Sequence, residues 1–229
     1  MRKIEPQSIL PFFALFFVVI LGAAIAYHAI DSAIGDHDFG VVRAGIAITL
    51  FYGIAVIVYR VFLRFWPLSE GELAPGSRAE RIANINILFY LIFFNTFVRT
   101  NFLPVPLTRL LYLCLGARIG KNSYSAGAIL DPPLTSIGDD CIIGHNAAIF
   151  AHAIEKTRLS LSKVTIGNRV TIGASAVVMS GVQIGDDAVV AAGAVVMKGT
   201  TIGQGEEWGG VPAKRLRAKP APATDAAVE

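Results

Sequence analysis

A six-residue repeat constrains the fold of this chain more than any other feature of its sequence. Isoleucine or valine occupies every sixth position over residues 166–202 without interruption. Ile119 lies three units before the point where the same spacing begins upstream, at Ile137, Ile143 and Ile149. Repetition with this period is typical of a parallel β-helix, in which each unit is a short strand plus a turn and three units close one coil.

Two positions of the repeat predict the inside of this domain. The repeated Ile or Val would point inward and stack on its counterparts in neighbouring coils. The fifth position of each unit is small or β-branched, as at Val170, Ala176 and Val182. Glycine often follows the apolar residue, as expected where the backbone turns tightly. We therefore expect an all-β parallel β-helix over residues 117–217.

The repeat is interrupted inside the stretch IFAHAIEKTRLSLSKVTIG, residues 149–167. His152 stands just before the interruption, and the repeat resumes at the motif VTIG of residues 164–167. Loops carried on a rigid scaffold are common places for functional sites. The repeat region has two histidines, of which His145 occupies a turn position. A neutral imidazole is suited to removing a proton near neutral pH.

The preceding residues, 1–116, are apolar and rich in aromatic side chains. Residues 10–30 carry no charge and are long enough to cross a hydrocarbon core, which needs about 20 residues. Residues 44–66 form a second such run, with Arg60 and Arg64 near its end, where long basic side chains reach the interface. A signal peptide is the alternative for the first run, although its apolar core would be shorter. We predict a membrane region with two transmembrane helices.

Two further apolar segments are predicted to associate with the membrane. Residues 82–98 are shorter and are flanked on both sides by arginines. Basic residues at both ends favour a helix that dips into or lies on the inner face, with a full span as the alternative. Residues 106–116 are predicted to form another helix at the membrane surface.

The charges beside these runs predict the topology. Arg2 and Lys3 precede the first span and basic residues follow the second, whereas the connecting loop, residues 31–43, is mainly acidic. Because positive residues stay on the cytoplasmic side, both ends of this hairpin should face the cytoplasm, together with the β-helix. We therefore predict a multi-pass protein of the inner (cytoplasmic) membrane. Residues 218–229 have no apolar period and are predicted to be a disordered tail.

Charge and cysteine content argue against other classes of protein. Charged residues make up 16% of the chain, whereas a soluble domain has about a quarter. The net charge of +3 gives no indication of nucleic-acid binding. Cys114 and Cys141 are too few for a disulfide framework and fit a reduced chain that faces the cytosol.

The repeats and the ending WGGVPAKRLR, residues 208–217, resemble those of the hexapeptide-repeat acyltransferases. The resemblance covers roughly residues 119–217. It implies a left-handed β-helix, a homotrimer with active sites between subunits, and acetyl-CoA or another acyl-CoA as co-substrate. His152, a nearby glutamate, VMKG and WGGVPA are also similar to the β-helical domains of multi-spanning membrane proteins in this superfamily. Other enzymes share the helix, so the repeat alone does not define the chemistry.

The resemblance implies roles for residues near the interruption. In the galactoside- and maltose-acetyltransferase branches a catalytic histidine precedes a loop that rejoins the repeat at [VI]TIG, which makes His152 the expected general base rather than a structural histidine. Asp131 matches an aspartate that orients the acceptor, and capping of the turn at Pro132 is the alternative. Glu155 would orient the imidazole or bind the acceptor, unless it is a solvated loop carboxylate. Asn146 is a weaker candidate for the acceptor site.

The family also implies where coenzyme A lies. Its pantetheine arm follows backbone groups at turns, and the matching positions here are Ala174, Ala192 and Gly193. Small residues at these turns would also suit packing alone. Cations near the coenzyme's phosphates match Lys198, Lys214 and Arg217, where charge-assisted contacts would form. A solvated basic C-terminus is the alternative for these three.

Together these observations predict a membrane-anchored acyltransferase that moves an acyl group, with acetyl favoured, from acyl-CoA to a hydroxyl or amine. The acceptor would be a lipid, a lipid-linked sugar or a hydrophobic small molecule, and neither a metal nor nucleic acid is expected to bind. A zinc enzyme like the γ-carbonic anhydrases would need three imidazoles, and the repeat region has two. A non-catalytic trimeric β-helix that scaffolds a membrane complex is the other alternative.

Overall fold

The computed structural model describes residues 6–34, 40–100 and 103–217. It divides the chain into two compact units, one of Met1–Phe102 with Glu155–Leu159 and one of Leu103–Ile154 with Ser160–Glu229. Four charged residues used to predict the topology lie outside the described residues, namely Arg2, Lys3, Asp36 and Asp38. The predicted tail, residues 218–229, lies outside them as well.

Helices dominate the first unit. The two longest have 29 and 26 residues, more than the hydrocarbon core of a bilayer requires. The first encloses the predicted span of residues 10–30, and the second covers the predicted span of residues 44–66 up to Phe65. In chain order the elements are α1 (Pro6–Ile34), α2 (Gly40–Phe65), β1 (Gly71–Leu73), α3 (Arg78–Phe89), a π-helical turn (Tyr90–Phe94) and α4 (Asn95–Arg99).

Aromatic rings hold these helices together. Phe89 lies between α1 and α2, with ring centroids 5.4 Å from Phe12 and 5.5 Å from Tyr59. The Tyr59 hydroxyl donates a buried hydrogen bond of 2.6 Å to Asn86 Oδ1, which satisfies a polar pair inside the bundle. The outward faces remain apolar: Phe17 is 63% exposed and many other large apolar side chains of α1 and α2 are exposed as well. An apolar exterior of this extent is typical of a surface that contacts lipid.

The third helix begins with a capping arrangement. Ser77 Oγ accepts a hydrogen bond from the Glu80 backbone N–H, and Glu80 Oε2 accepts one from the Gly76 N–H. From there a continuous helical segment runs from Arg78 to Arg99, and its 22 residues are enough to cross a membrane. The described residues thus contain three helices of that length and composition. That residues 82–98 lie on the inner face stays a prediction.

The second unit consists of α5 (Val105–Leu115) followed by short strands in three parallel sheets. The five-stranded sheet contains β2 (Arg118–Ile119), β5 (Thr135–Ile137), β10 (Val164–Ile166), β13 (Gln183–Ile184) and β16 (Thr201–Ile202). The four-stranded sheet contains β4 (Ala128–Ile129), β7 (Ala148–Ile149), β12 (Val177–Val178) and β15 (Val195–Val196). The six-stranded sheet contains β3 (Tyr124–Ser125), β6 (Ile142–Ile143), β11 (Thr171–Ile172), β14 (Val189–Val190), β17 (Glu207–Gly209) and the antiparallel β18 (Lys214–Arg217).

The register of these sheets confirms the six-residue repeat. Ile166 lies opposite Ile184, and Ile184 lies opposite Ile202, so each residue pairs with its counterpart three units further along the chain. The repeated residues form the core, and Ile172 and Val178 are fully buried. Parallel sheets with this register fit the left-handed β-helix that the resemblance implies.

The glycine that follows Ile172 serves a different purpose from the one expected. Gly173 does not adopt the left-handed backbone conformation of a tight turn, which Ser175 adopts instead, with φ 57°. A side chain at Gly173 would collide with the backbone of Ala192 in the next coil. Close approach of neighbouring coils, rather than turn conformation, therefore requires glycine here.

Helix α5 covers the first coil of the β-helix. The hydroxyl of Tyr112, which is fully buried, donates to the Gly127 carbonyl and accepts from the Ile129 N–H, both at 3.0 Å. Arg109 donates to the carbonyl oxygens of Ser123 and Gly120 at 3.1 and 2.9 Å. These bonds attach α5 to the second unit, which begins at Leu103.

The interruption of the repeat is a β-hairpin. Ile137 pairs with Ile166 and Ile149 pairs with Val178, so the coil that contains the interruption is longer than the three hexads between Ile166 and Ile184. The additional residues form β8 (His152–Glu155) and β9 (Arg158–Leu161), joined by a two-residue turn. The hairpin leaves the helix at the corner between the four-stranded and the five-stranded sheet.

Candidate active site

An aspartate and a histidine meet at the corner where the hairpin leaves the β-helix. His152 Nδ1 lies 2.7 Å from Asp131 Oδ2. The same oxygen accepts hydrogen bonds from the backbone N–H groups of Ala151 and His152, at 2.9 and 3.1 Å. Because a carboxylate can only accept, Nδ1 carries the proton and Nε2 is the basic nitrogen of the ring. Asp131 thus fixes both the tautomer and the orientation of the imidazole.

Burial differs sharply between the two side chains. The Asp131 side chain is 2% exposed, whereas that of His152 is 22% exposed and can meet a substrate. Burial alone would lower the pKa of His152, but the hydrogen bond and the charge of Asp131 raise it above its usual value. The ring of Phe150 packs edge-on against the imidazole, with centroids 5.7 Å apart, and further restricts its orientation.

Asp131 therefore occupies a different position from the one predicted. Its carboxylate is buried and bonded to His152 Nδ1, whereas the sequence predicts that it orients the acceptor. The capping alternative is wrong: Asp131 precedes the short helical turn Pro132–Leu134, but its side chain makes no capping hydrogen bond.

The remaining acceptor-site candidates lie on the surface. Glu155 is exposed at the end of β8 and belongs to the first unit, whereas His152 belongs to the second. The sequence predicts that Glu155 orients the imidazole or binds the acceptor, and in the structure the carboxylate bonded to Nδ1 is that of Asp131. Asn146 is exposed in a turn, in the left-handed conformation with φ 58°.

Two of the predicted coenzyme A positions are neighbours on another corner, between the six-stranded and the four-stranded sheet. The Gly193 N–H donates to the Ala174 carbonyl at 2.8 Å, so these turns stack directly in successive coils. Ala192 belongs to the same turn as Gly193, and all three residues are exposed. The turn of Asn146 stands in this column too, since the Ser175 N–H next to Ala174 donates to the His145 carbonyl at 2.8 Å. The four-stranded sheet separates this column from the corner of His152.

The three predicted cations are not grouped together. Lys198 shares the corner of His152, and its ammonium donates to Ser160 Oγ at 3.2 Å. Lys214 is exposed on β18, where its backbone pairs with Gly209 of β17. The Arg217 backbone pairs with Glu207 at the end of the same strand, and its side chain lies outside the described residues. Ser160 was not among the predicted site residues, because no motif marks it.

A family model described as the hexapeptide repeat of succinyl-transferase matches residues 134–151 and 163–198. These two segments of the chain are therefore hexapeptide repeats. The unmatched residues between the two segments of this domain contain the whole hairpin of β8 and β9. The repeat that the sequence predicts is thereby confirmed.

Several solved structures resemble this chain. A hexapeptide-repeat-containing acetyltransferase of Vibrio cholerae, complexed with acetyl coenzyme A, is 27% identical, with a TM-score of 0.43 over 46% of this chain and 62% of that one. A galactoside acetyltransferase in complex with coenzyme A is 21% identical, with a TM-score of 0.49 over 69% and 90%. Soybean serine acetyltransferase is 20% identical, with a TM-score of 0.40 over 73% and 57%.

These similarities have limits that bear on function. This chain spans less than two thirds of the length of the Vibrio cholerae enzyme. At TM-scores below 0.5 none of the three structures assigns an activity to it. No match was found among curated proteins.

Proposed function

We propose that this chain is a membrane-anchored, acyl-CoA-dependent acyltransferase with His152 as its general base. The observation that carries the proposal is the 2.7 Å contact between His152 Nδ1 and the buried Asp131 carboxylate. A buried carboxylate on one ring nitrogen orients the imidazole and leaves the second nitrogen to act as a general base. Its position, on a corner of a hexapeptide-repeat domain beside an inserted hairpin, supports the same function.

The reaction is transfer of an acyl group, with acetyl favoured, from the thioester of acyl-CoA to a hydroxyl or amine. His152 Nε2 takes the proton of the acceptor as its oxygen or nitrogen attacks the thioester carbonyl. The new C–O or C–N bond forms, the C–S bond breaks, and the proton passes from His152 to the departing thiolate. Asp131 stabilises the imidazolium that exists between these two proton transfers.

The carrier would lie along the column of exposed turns at Ala174, Ala192 and Gly193. Small side chains there leave the backbone groups of successive coils accessible to the amides of a pantetheine arm. Lys214 and Arg217, both on β18, would bind the phosphates of the carrier, and Lys198, at the corner of His152, would add a contact from there. We infer a homotrimer, in which such a column faces a neighbouring subunit.

The acceptor would come from the membrane. Three helices of membrane-crossing length with apolar exteriors support anchoring. Basic residues at the end of α2 and the start of α3 support a cytoplasmic location of the β-helix, where acyl-CoA is found. We therefore infer that the acceptor is a lipid, a lipid-linked sugar or a hydrophobic small molecule.

Replacing His152 by alanine tests this function. Membranes containing the full-length variant should transfer labelled acetyl from acetyl-CoA about a hundredfold to ten-thousandfold more slowly than wild type, the usual contribution of a general base. His28→Ala is the matched control, since His28 is exposed on α1, away from the turns proposed to bind the carrier, and should retain full activity. Equal rates in wild type and the His152 variant would favour the scaffold alternative. Mass spectrometry of membrane lipids should show the acylated acceptor only where His152 is present.

A further inference from the structure

The first unit contains a cavity of about 370 Å³ between α1, α2 and α3. Its walls are mainly apolar, with Leu15, Phe62 and Ile85 among the lining residues. Two arginines and a glutamine also line it, Arg78, Arg81 and Gln7. A cavity that combines a hydrocarbon wall with fixed positive charge has the chemistry of a site for an anionic amphiphile.

The charged and apolar parts of the cavity are arranged along the helices. Gln7 lies in the first turn of α1, and Arg78 and Arg81 lie at the start of α3, so the polar groups share one end of the bundle. Trp66, at the end of α2, also lines the cavity and is 41% exposed. Tryptophan is enriched at the level of lipid headgroups. The polar end therefore corresponds to the headgroup region, and the apolar walls run towards the middle of the helices.

Hydrogen bonds hold one guanidinium at this end. Arg81 Nη1 donates to the Gly76 carbonyl at 2.7 Å and to Gln7 Oε1 at 3.4 Å. A guanidinium has five N–H donors, and among the described residues only Nη1 is bonded, so Nε and Nη2 can face an anion. Arg78 lies one turn earlier on the same helix, and the two cations can bind oxygens of one phosphate.

We propose that this cavity binds an anionic phospholipid of the surrounding leaflet, with its phosphate at Arg78 and Arg81 and one acyl chain against Leu15, Phe62 and Ile85. The proposal rests on the membrane anchoring of the proposed function but not on acyl transfer. A lipid held here would tie the start of α1, the end of α2 and the start of α3 together at the membrane surface.

Native mass spectrometry of the full chain in detergent, with equal amounts of phosphatidylglycerol and phosphatidylcholine of the same acyl chains, tests the site. The wild type should retain phosphatidylglycerol about tenfold more than phosphatidylcholine, because the charge-assisted contacts favour a headgroup with net negative charge. Arg78→Gln/Arg81→Gln should abolish this preference. Arg60→Gln/Arg64→Gln removes the same charge from the end of α2, outside the cavity, and should keep it.

A second variant tests the apolar part independently of charge. Ala14 lines the cavity and is not buried, so Ala14→Trp fills the space without disturbing the buried core and should reduce the binding of both lipids at least about fivefold. Equal loss of preference in the two double-arginine variants, or unchanged binding by Ala14→Trp, would overturn the proposal. His152→Ala should bind lipid as wild type does, which separates a failure of this site from a failure of the catalytic proposal.

Discussion

Asp131 and His152 are 21 residues apart in the chain, yet one carboxylate oxygen meets a ring nitrogen and two backbone N–H groups of the 151–152 segment. That arrangement gives the imidazole a fixed direction and a raised pKa, with its proton on the side away from solvent. Both effects depend on the negative charge and on the acceptor oxygen of the carboxylate. An amide of the same shape keeps an acceptor oxygen but has no negative charge.

Asp131→Asn should therefore change both the rate and its pH dependence. The base acts in its neutral form, so the wild-type rate should rise as pH increases through the raised pKa of His152. Removing the carboxylate charge lowers that pKa, and the rise should move to lower pH while the maximum rate falls about a hundredfold. The measurement is kcat/KM against pH, with Asp140→Asn, an exposed acid in the same domain, as the control. A profile that keeps its midpoint in the Asp131 variant would contradict the assignment.

The sequence predicts His152 as the base but not the position of Asp131. Ile129 pairs with Ile149, and the interval between these two residues is longer than the three hexads of a regular coil. The additional residues lie around the helical turn Pro132–Leu134, which follows Asp131 at the same corner as His152. Counting hexads in the sequence cannot locate these additional residues. The apolar positions before and after them, Ile119 and Ile137, are still three hexads apart.

Among the elements, α5 shows how a helix can end a β-helix. Its Tyr112 hydroxyl satisfies one carbonyl and one N–H of the first coil, and burial raises the pKa of this phenol to about 12. The phenol therefore stays neutral, and able to donate, throughout the physiological pH range. Apolar residues at helical spacing predict a helix over residues 106–116, but the same pattern suits a helix on a membrane and a helix on a protein core.

Tyr112→Phe should lower the free energy of unfolding of the β-helix domain by about 1–3 kcal/mol, because it leaves a buried carbonyl and a buried N–H without their partner. Tyr124→Phe removes a hydroxyl from a side chain that is 44% exposed and should change stability by less than about 0.5 kcal/mol. Denaturant unfolding of the full chain, followed by the β-sheet circular dichroism signal, measures both. Equal stability of the two variants would show that α5 does not cap the coil.

Across the whole domain, the three corners of the β-helix differ in chemistry. At the corner between the five-stranded and the six-stranded sheet, Asn168 links two coils: its Oδ1 accepts from the Asp139 N–H and its backbone N–H donates to Asp186 Oδ1, both at 2.8 Å. The polar groups at that corner are therefore bonded to one another. The next corner exposes the small residues of the Ala174 and Gly193 turns, and the third has the His152 pair.

This difference between the corners predicts where a large side chain will interfere with the binding of acyl-CoA. Ala192→Leu, on the corner of small residues, should raise KM for acyl-CoA about tenfold with little change in kcat, because it obstructs binding and leaves the base in place. Gln204→Leu, at an exposed turn of the polar corner, should leave both constants unchanged. Steady-state kinetics with varied acyl-CoA distinguish the two, and similar KM values for both variants would place the carrier elsewhere.

At the scale of the whole molecule, the sequence predicts most of the architecture. The repeat over residues 166–202 predicts the β-helix and its core, and the lengths of the apolar runs predict α1 and α2. The folding of the interruption into a hairpin could not be predicted, since residues 152–161 have neither the hexad period nor a glycine turn. The hairpin instead turns at Lys156, in the left-handed conformation with φ 57°.

The hairpin is inserted without changing the pairing around it. Ile137 with Ile166, Ile143 with Ile172 and Ile149 with Val178 are all offset by the same interval along the chain, so every sheet continues across the insertion. The register of the coils on either side therefore does not depend on the length of the hairpin. Selection on substrate choice and selection on folding can thus act on separate residues, and a hairpin of another length could be exchanged at this corner without redesigning the scaffold.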